Sequence, residues 1–411
     1  VEGILEWSQK KGISLVGTGD VTHPGWLAEI GETLEDDGGG FLVPRGEVTA
    51  RVRPLVPELA RRDVRFVPTG EVSSIFRSGT RVRKVHTVVV LPGLAAAGRF
   101  AAALGRLGNT TSDGRPILGL HPRRILELAR DAHPDAFVIP AHIWTPHFSL
   151  FGALSGFDSI EECFGDMSGD VFALETGLSS DIPMNRRWSA LDRFALVSSS
   201  DAHSPSKLGR EATVLSGVKT FQDLVHALRH GGLNGARSDG IAAPRLLGTV
   251  EFFPEEGKYH LDGHRDCGVR TDPSGTVALG GICPVCGNAL TPGVLGRVES
   301  LADRDCDDIP EGFPPQWSLV PLAEILGEIL GVGPASKRVT AAWDRVISAF
   351  GGELDILGWT DPDAIESLGE ARLAEAIRRL RAGRVYLDAG FDGRFGRVSL
   401  FGPRDNPGGV A

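Results

Sequence analysis

The chain has 411 residues, 41% of them hydrophobic and 23% charged, with a formal net charge of −10. That length exceeds one small domain, and the composition is that of a globular protein rather than a disordered or fibrous one. No apolar run approaches the roughly 18 residues that span a bilayer and no signal-peptide pattern opens the chain, which argues against a membrane or secreted protein.

VEGILEWSQKKGI reads as an amphipathic helix leading into a strand near 13–19. Strand–helix repeats begin on a strand, so a further strand is expected upstream of Val1. The EDDGGG run around Glu35–Gly40 predicts a flexible loop. Short β-rich apolar runs follow near 64–70, 85–91, 136–141, 171–176, 194–200 and 212–216. Helical patterns lie between them, among them Ala95–Leu107 and Pro122–Ala132, the latter with proline in its first turn. Repeated βα units of this kind predict parallel strands wound into an α/β barrel over residues 1–248. Residues 249–312 change to short turns, glycines and cysteines, and residues 313–411, beginning with FPPQW, become helical with glycine-punctuated turns. Three domains are expected at those boundaries.

Potential metal ligands recur at successive strand ends: Asp20 after ISLVGTG, Glu71 after VRFVPTG, His142 after AFVIPA, then Asp201 and His203 after FALVSSS. His86 lies inside KVHTVVVLP. In α/β barrels the C-terminal strand ends form the catalytic face. Each residue has an ordinary explanation: Asp20 and Glu71 could start helices, and His86 could be a satisfied core residue. His142 and the Asp201-Ala-His203 trio are sharper, because loops at strand ends carry function more often than packing. Six such residues in equivalent places predict a multinuclear metal site and hydrolysis by a metal-activated water. Mixed nitrogen and oxygen ligands suit Zn²⁺, Mn²⁺ or Mg²⁺.

The order Asp20, Glu71, His86, His142, Asp201-x-His203 resembles the polymerase-and-histidinol-phosphatase (PHP) superfamily of metal-dependent phosphoesterases. The strings GTGDVTHPGW, TGEVSSIF, PAHIWTPHFSLFG and SSSDAHSPSKLGREA are similar to its endonuclease Q family, and the resemblance runs along essentially the whole chain. It implies a PHP-type distorted (β/α)7 barrel, followed by a small zinc-binding module and an all-α helix-hairpin-helix-like domain. It also implies an endonuclease cutting 5′ to deaminated bases (uracil, hypoxanthine, xanthine) or abasic sites. The superfamily's first motif, a His-x-His, would fall before Val1, so the resemblance implies an N-terminally truncated sequence lacking part of the cluster. The stretches Trp144–Gly152 and Glu175–Asn185 are where a pocket for an extruded base is expected.

His264-x-x-Cys267 and Cys283-x-x-Cys286 predict a closed tetrahedral structural zinc. His260 competes with His264 for the fourth place, and symmetry of spacing favours His264. A redox Cys-x-x-Cys is the alternative, but no thioredoxin-like βαβ pattern surrounds it. Two of the five cysteines in such a pair argue for metal rather than disulfides, and hence for the cytoplasm. In PLAEILGEILGVGPASKRVTAAWDRV, Gly331 and Gly333 would let backbone amides approach a DNA phosphate, with Lys337 and Arg338 adding contacts. IESLGEARLAEAIRRLRAGR reads as a degenerate second copy. Residues 371–404 hold eight arginines against three acids, which favours DNA backbone binding over a plain αα-hairpin. Arg77 and Arg81 either contact phosphates or form a solvated basic loop.

The partner expected from these features is lesion-bearing DNA. A sliding clamp is a further partner for a repair nuclease, although no docking peptide is evident. The alternatives are a PHP-type phosphatase of the histidinol-phosphate class and a damaged-DNA binding module without activity.

Overall fold

The computed structural model describes residues 1–233 and 243–402. The helix Glu2–Lys11 stops at Gly12, which takes φ 90°, and the chain enters strand β1 (Leu15–Gly17). A hairpin of β2 (Leu34–Asp36) and β3 (Leu42–Pro44) follows, then β4 (Arg65–Val67), which pairs in parallel with β1. The EDDGGG segment, expected to be a flexible loop, is the turn of that hairpin. The Asp37 carboxylate accepts the Gly39 and Phe41 N–H groups and so closes it.

The expected run of parallel strands breaks at the next element. Pro68 lacks an N–H and ends β4. Instead of a helix, residues Thr69–Ser78 form a long strand, β5, which turns at Gly79 (φ 58°) into β6 (Arg81–Val90). The alternation in VSSIF and VRKVHTV, rich in β-branched residues, suits an antiparallel hairpin. Glu71 therefore lies near the start of a strand rather than at its end, and His86 lies in the middle of the return strand. Strand β7 (Ile117–Leu118) adds in parallel to β5, and β8 (Phe137–Pro140) adds antiparallel to β6.

Strands β9 (Ala173–Glu175) and β10 (Ala195–Val197) pair in parallel, while β11 (Ala212–Ser216) pairs antiparallel with β12 (Arg245–Glu251). A short hairpin of β13 (Asp262–His264) and β14 (Val269–Thr271) carries part of the cysteine segment. Strand β15 (Gln316–Ser318) returns to β12 in parallel, so one sheet joins residues on both sides of the cysteine segment. Among the described residues, β1 pairs only with β4 and β11 only with β12. The strands thus form separate arcs of a mixed α/β fold, where a continuous barrel sheet was expected.

The C-terminal part is two helical hairpins. Leu322–Leu330 and Lys337–Phe350 meet around Gly331 (φ 65°), and Pro362–Ser367 and Ala371–Arg381 meet around Gly369 (φ 89°). The Ser336 hydroxyl accepts the Val339 N–H and caps the helix that starts at Lys337. One hydrophobic cluster runs from Leu5 and Val16 through to Leu322, Val346 and Leu380, so the C-terminal helices share the core of the α/β part. No helix among the described residues is long and apolar enough to cross a membrane.

A buried ion pair fixes that junction. Glu353 accepts from Lys11 Nζ at 2.6 Å, from Trp343 Nε1 at 2.8 Å and from the Leu322 N–H at 3.1 Å. The Trp7 and Trp343 rings pack beside it, 5.4 Å apart. Removing one partner of such a pair leaves a buried charge unmatched. Glu353→Ala is expected to lower stability by about 3 kcal/mol in chemical denaturation, and Lys11→Met with Glu353→Leu to recover only the part due to the unmatched ammonium, since the Trp343 and Leu322 donors stay without an acceptor. A loss below about 1 kcal/mol for Glu353→Ala would show the network to be incidental.

Candidate metal centre

The β5–β6 register brings the first two site residues together. Glu71 faces Val88 and Ser73 faces His86, so Glu71 and His86 are diagonal neighbours on one face of the hairpin. His86 Nδ1 stands 2.6 Å from Glu71 Oε1. His142, just beyond β8, completes the group, with Nε2 3.7 Å from Glu71 Oε1 and 3.1 Å from His86 Nδ1. The three ligand atoms lie within 4.8 Å of one another, a spacing that one cation could span.

Supporting contacts orient each ring. His142 Nδ1 pairs with Thr145 Oγ1 at 3.0 Å, which turns Nε2 towards Glu71. The His142 N–H donates to Glu175 Oε2 at 2.8 Å. Phe148 packs 4.8 Å from the His86 ring, and its carbonyl accepts the His86 N–H. Burial would raise the Glu71 carboxyl, but hydrogen bonds from His142 and His86 outweigh it and hold Glu71 well below the usual carboxylate range. Burial pushes His86 down, towards the neutral form that binds metal. For His142 burial also acts downward, but the Glu71 hydrogen bond and the charges of Glu175 and Glu71 carry it above its ordinary value.

Backbone strain gathers here too. Asp20, His142, Phe148 and Asp201 all take positive φ (50°, 32°, 60° and 45°). Each such non-glycine residue costs on the order of 1–3 kcal/mol, a cost typical of functional sites. A Cβ at Gly177 would overlap His142, so the backbone approach there needs glycine.

The six residues expected to form one cluster divide into two sets. Glu71, His86 and His142 meet, whereas Asp20, Asp201 and His203 only line the same cavity, whose volume is about 1190 Å³. Asp20 is exposed to the cavity, and its carboxyl is raised by partial desolvation and then by the charges of Asp113 and Glu71. The Asp201 side chain is 40% exposed and that of His203 74%. Arg210 bonds the carbonyls of Ser200 and Asp201, and His203 Nδ1 turns back to the Asp201 carbonyl, while the Asp201 charge acts on His142.

Sequence reading missed Asp113 and Arg115 and gave Glu175 only as the edge of a base-pocket stretch; all three line the cavity. Glu175 ends β9 and so carried the same strand-end signal as Glu71. Asp113 and Arg115 lie in a turn-rich connection whose spacing gives no such sign. The expected base-pocket stretches are largely core: Trp144 is fully buried, and its Nε1 donates to Asn185 at 2.7 Å.

A second group is local. His264, Cys267, Cys283 and Cys286 bring their ligand atoms within 4.8 Å, with His264 Nδ1 3.7 Å from Cys286 Sγ. A tetrahedral zinc with bonds of about 2.0–2.3 Å separates its ligand atoms by roughly 3.3–3.8 Å, so the donor set fits that ion. His260 is buried away from this group. Gly268 and Gly287, at φ 67° and 75°, form the tight turns that follow the cysteines. Arg297, in the helix Val294–Leu301, donates to the carbonyls of Phe151 and Phe157 and so ties this segment to the stretch that follows His142.

The expected DNA contacts are placed as follows. Arg77 and Arg81 are exposed at the tip of the β5–β6 hairpin, and Lys337 and Arg338 are exposed at the start of their helix beside Gly331 and Gly333. The arginine-rich tail is more committed than its composition implied. Arg378 pairs with Asp363 and Glu366, Arg379 with Glu375, and Arg381 bonds the carbonyls of Ile356, Leu357 and Thr360. Arg404 lies outside the described residues.

Comparison with known proteins agrees with this architecture. Residues 321–384 match the family model described as the MJ0043 C-terminal domain, and residues 184–233 the one described as PHP-associated. The uncharacterised protein MJ0043 of Methanocaldococcus jannaschii is 31% identical over 265 residues, 62% of this chain and 31% of that protein. The chain thus spans about a third of that relative. Bacillus subtilis YqxK is 29% identical over 409 residues, covering 96% of this chain and 91% of YqxK. Among solved structures, the lesion-specific endonuclease PfuEndoQ from Pyrococcus furiosus aligns with a TM-score of 0.79 at 30% identity, over 97% of this chain and 89% of PfuEndoQ. An endonuclease Q complex with a 27-mer duplex bearing an abasic lesion at its active site aligns at 0.80 and 29%, over 100% and 93%. The fold and the PHP-associated segment define a PHP-type α/β protein. Within that class, the chain belongs to the endonuclease Q family.

Two outcomes are expected from this geometry. The purified chain should carry one tightly held zinc, and Cys283→Ser should release it; full zinc content in that variant would rule out the four-residue site. Glu251, which accepts from Thr176 and Ser198 at 3.0 and 3.1 Å, is pushed by burial from 4.5 up to about 8. A raised acid binds its proton more tightly when folded, so its contribution is present below pH 4.5 and is lost as pH rises towards about 8. Glu251→Gln should therefore raise Tm by on the order of 1–3 °C at pH 8 and leave it unchanged at pH 5.

Proposed function

We propose that the chain is a metal-dependent DNA repair endonuclease that hydrolyses the phosphodiester 5′ to deaminated bases or abasic sites. The observation that carries this reading is the likeness, along nearly the whole chain, to a lesion-specific endonuclease and to its relative bound to an abasic duplex. The Glu71–His86–His142 group supports it by offering a mixed oxygen and nitrogen donor set suited to Zn²⁺, Mn²⁺ or Mg²⁺. A cation held there would activate a water as the nucleophile.

The remaining steps fall to the protein's own residues. Glu71 stays ionised between its two imidazoles and so is available as an anionic ligand at neutral pH. Asp20, Asp201 and His203 line the approach to it and are the candidates for further metal ions. Arg77 and Arg81 at the hairpin tip would take backbone phosphates on one side of the lesion. Gly331, Gly333, Lys337 and Arg338 would take phosphates in the manner of a helix-hairpin-helix, at a helix start where N–H groups and two cations face solvent. The lesion base, weakly paired, would be extruded towards the cavity. Five free thiols, three of them with His264 in a metal-type cluster, fit a reducing cytoplasm.

The test is incubation with Mn²⁺ or Mg²⁺ and labelled duplexes carrying one deoxyuridine or one abasic site, beside an undamaged control. Cleavage 5′ to the lesion is expected. His142→Ala should reduce it about 100-fold or more, because even residues that merely support a metal ligand cost 10–100-fold. Hydrolysis of small phosphomonoesters with lesion DNA left intact would favour a phosphatase of the histidinol-phosphate class. Retention of DNA without any cut would favour a binding module.

A further inference from the structure

The connection from Asn109 to Arg115 runs between the helix Gly93–Gly105 and β7, far in sequence from the metal residues. It is a built loop. The Asn109 carboxamide accepts the Thr111 N–H and hydroxyl at 2.8 and 2.9 Å, and the Asp113 carboxylate accepts the Arg115 N–H at 3.0 Å. It is also docked on the turn that carries Asp20. The Thr22 hydroxyl donates to the Gly114 carbonyl at 3.2 Å, and His23 Nε2 lies 3.2 Å from the Thr111 carbonyl. A Cβ at Gly114 would overlap the Asp20 carboxylate, so any larger residue would have to push that side chain aside.

This docking delivers a guanidinium to the metal face. Arg115 Nη1 comes to 3.4 Å from Glu71 Oε2, and its side chain stays 36% exposed to the cavity. That separation is well beyond the 2.7–2.9 Å of a committed charge-assisted bond, so the contact leaves the fork largely unspent. Arg62 and Arg65 line the other end of the cavity, with Leu354 and Trp359. Among the described lining residues near Glu71 and His142, Arg115 carries the one guanidinium or ammonium group, and Asp20, Asp113 and Glu175 stand close by. A wall of carboxylates repels an anionic substrate, and a planar fork at its rim matches two non-bridging phosphate oxygens.

We propose that Arg115 contacts the phosphate being cut, and that Gly114 is the residue that lets its loop close over Asp20. This rests on the phosphodiesterase reading above. It adds a specific substrate contact, with the negative charge that builds on those oxygens during displacement as its target.

The test uses the full chain loaded with Mn²⁺ and two readouts. Inorganic phosphate serves as the probe for binding by titration calorimetry, and bis-p-nitrophenyl phosphate as a lesion-free phosphodiester. Arg115→Ala should keep the wild-type Mn²⁺ stoichiometry, bind phosphate about 10–100-fold more weakly and lose about 100-fold or more in kcat. Arg115→Lys, which retains the charge but not the fork, should fall between, and guards against a folding defect in the alanine variant. Gly114→Ala should resemble Arg115→Ala in phosphate affinity. Unchanged phosphate affinity in Arg115→Ala, or loss of Mn²⁺ from it, would overturn the proposal; the latter would make Arg115 a neutraliser of the carboxylates. A wild type that cuts the small diester but not lesion DNA would overturn the substrate reading alone. If the wild type turns over neither, the phosphate titration still decides the role of Arg115.

Discussion

Glu71 sits with its carboxylate 2.6 Å from one imidazole and 3.7 Å from another, in a place where burial alone would raise its carboxyl above the ordinary value. The two histidines reverse that outcome, and much of the neighbouring structure holds the three groups in reach. The β5–β6 register makes Glu71 and His86 diagonal neighbours, which no βα loop would have done. His142 reaches them through a left-handed backbone conformation, held by Glu175 at its N–H and by Thr145 at its ring. Gly177 must be glycine for that path to exist. Strain is paid at the points where ligand-type residues converge, as expected where geometry is set by function rather than by packing.

The outer parts of the chain brace this face. Arg297 reaches from beside the cysteine cluster to two carbonyls in the segment that follows His142, and Phe148 in that segment covers His86. Arg83 bonds the Gly156 carbonyl and lies 4.3 Å from the Phe157 ring, clamping the same segment from the β6 side. At the opposite end, Lys11 and Glu353 lock the first helix to the C-terminal hairpins. Such contacts put charged side chains onto buried carbonyls or a buried partner, so they are costly to half-break and fix the parts in one arrangement.

What could be read from the sequence was mostly local. The Cys-x-x-Cys and His-x-x-Cys spacings name their site because ligands three residues apart must lie together in a tight turn. The helix Pro122–Ala132 was legible for a similar reason: a proline start and one apolar face are properties of a single segment. Glu71, His86 and His142 stood out by residue type at apolar strands, but their mutual geometry did not. The hairpin that joins the first two depends on Pro68 ending one strand and Gly79 turning the next, and both fit a βα reading equally well. Asp201 and His203 were assigned to the cluster by analogy of position; they line the same cavity as Glu71 and His142 without joining the three-residue group. Asp113 and Arg115 were invisible because their role comes from docking on Asp20, and nothing in a turn-rich stretch announces its neighbour in space.

The arginine-rich tail carries the same lesson about charge. Eight arginines against three acids suggested a basic surface, yet Arg378, Arg379 and Arg381 are tied to acids and helix-end carbonyls within their own hairpin region. Composition counts charges but not their partners, and an arginine already paired adds little field to attract a polyanion. For a chain of net charge −10, the proposed phosphate recognition would rest on a few placed cations: the hairpin tip, the helix start at Lys337, and Arg115 at the rim of the carboxylate wall. Metal ions on Glu71, His86 and His142 would add the positive charge that the protein itself withholds there. On the proposed reading, that arrangement would favour discrimination over grip, since a bare acidic centre repels a polyanion until a cation makes it attractive, and the fork of Arg115 would reward a phosphate only beside the metal residues.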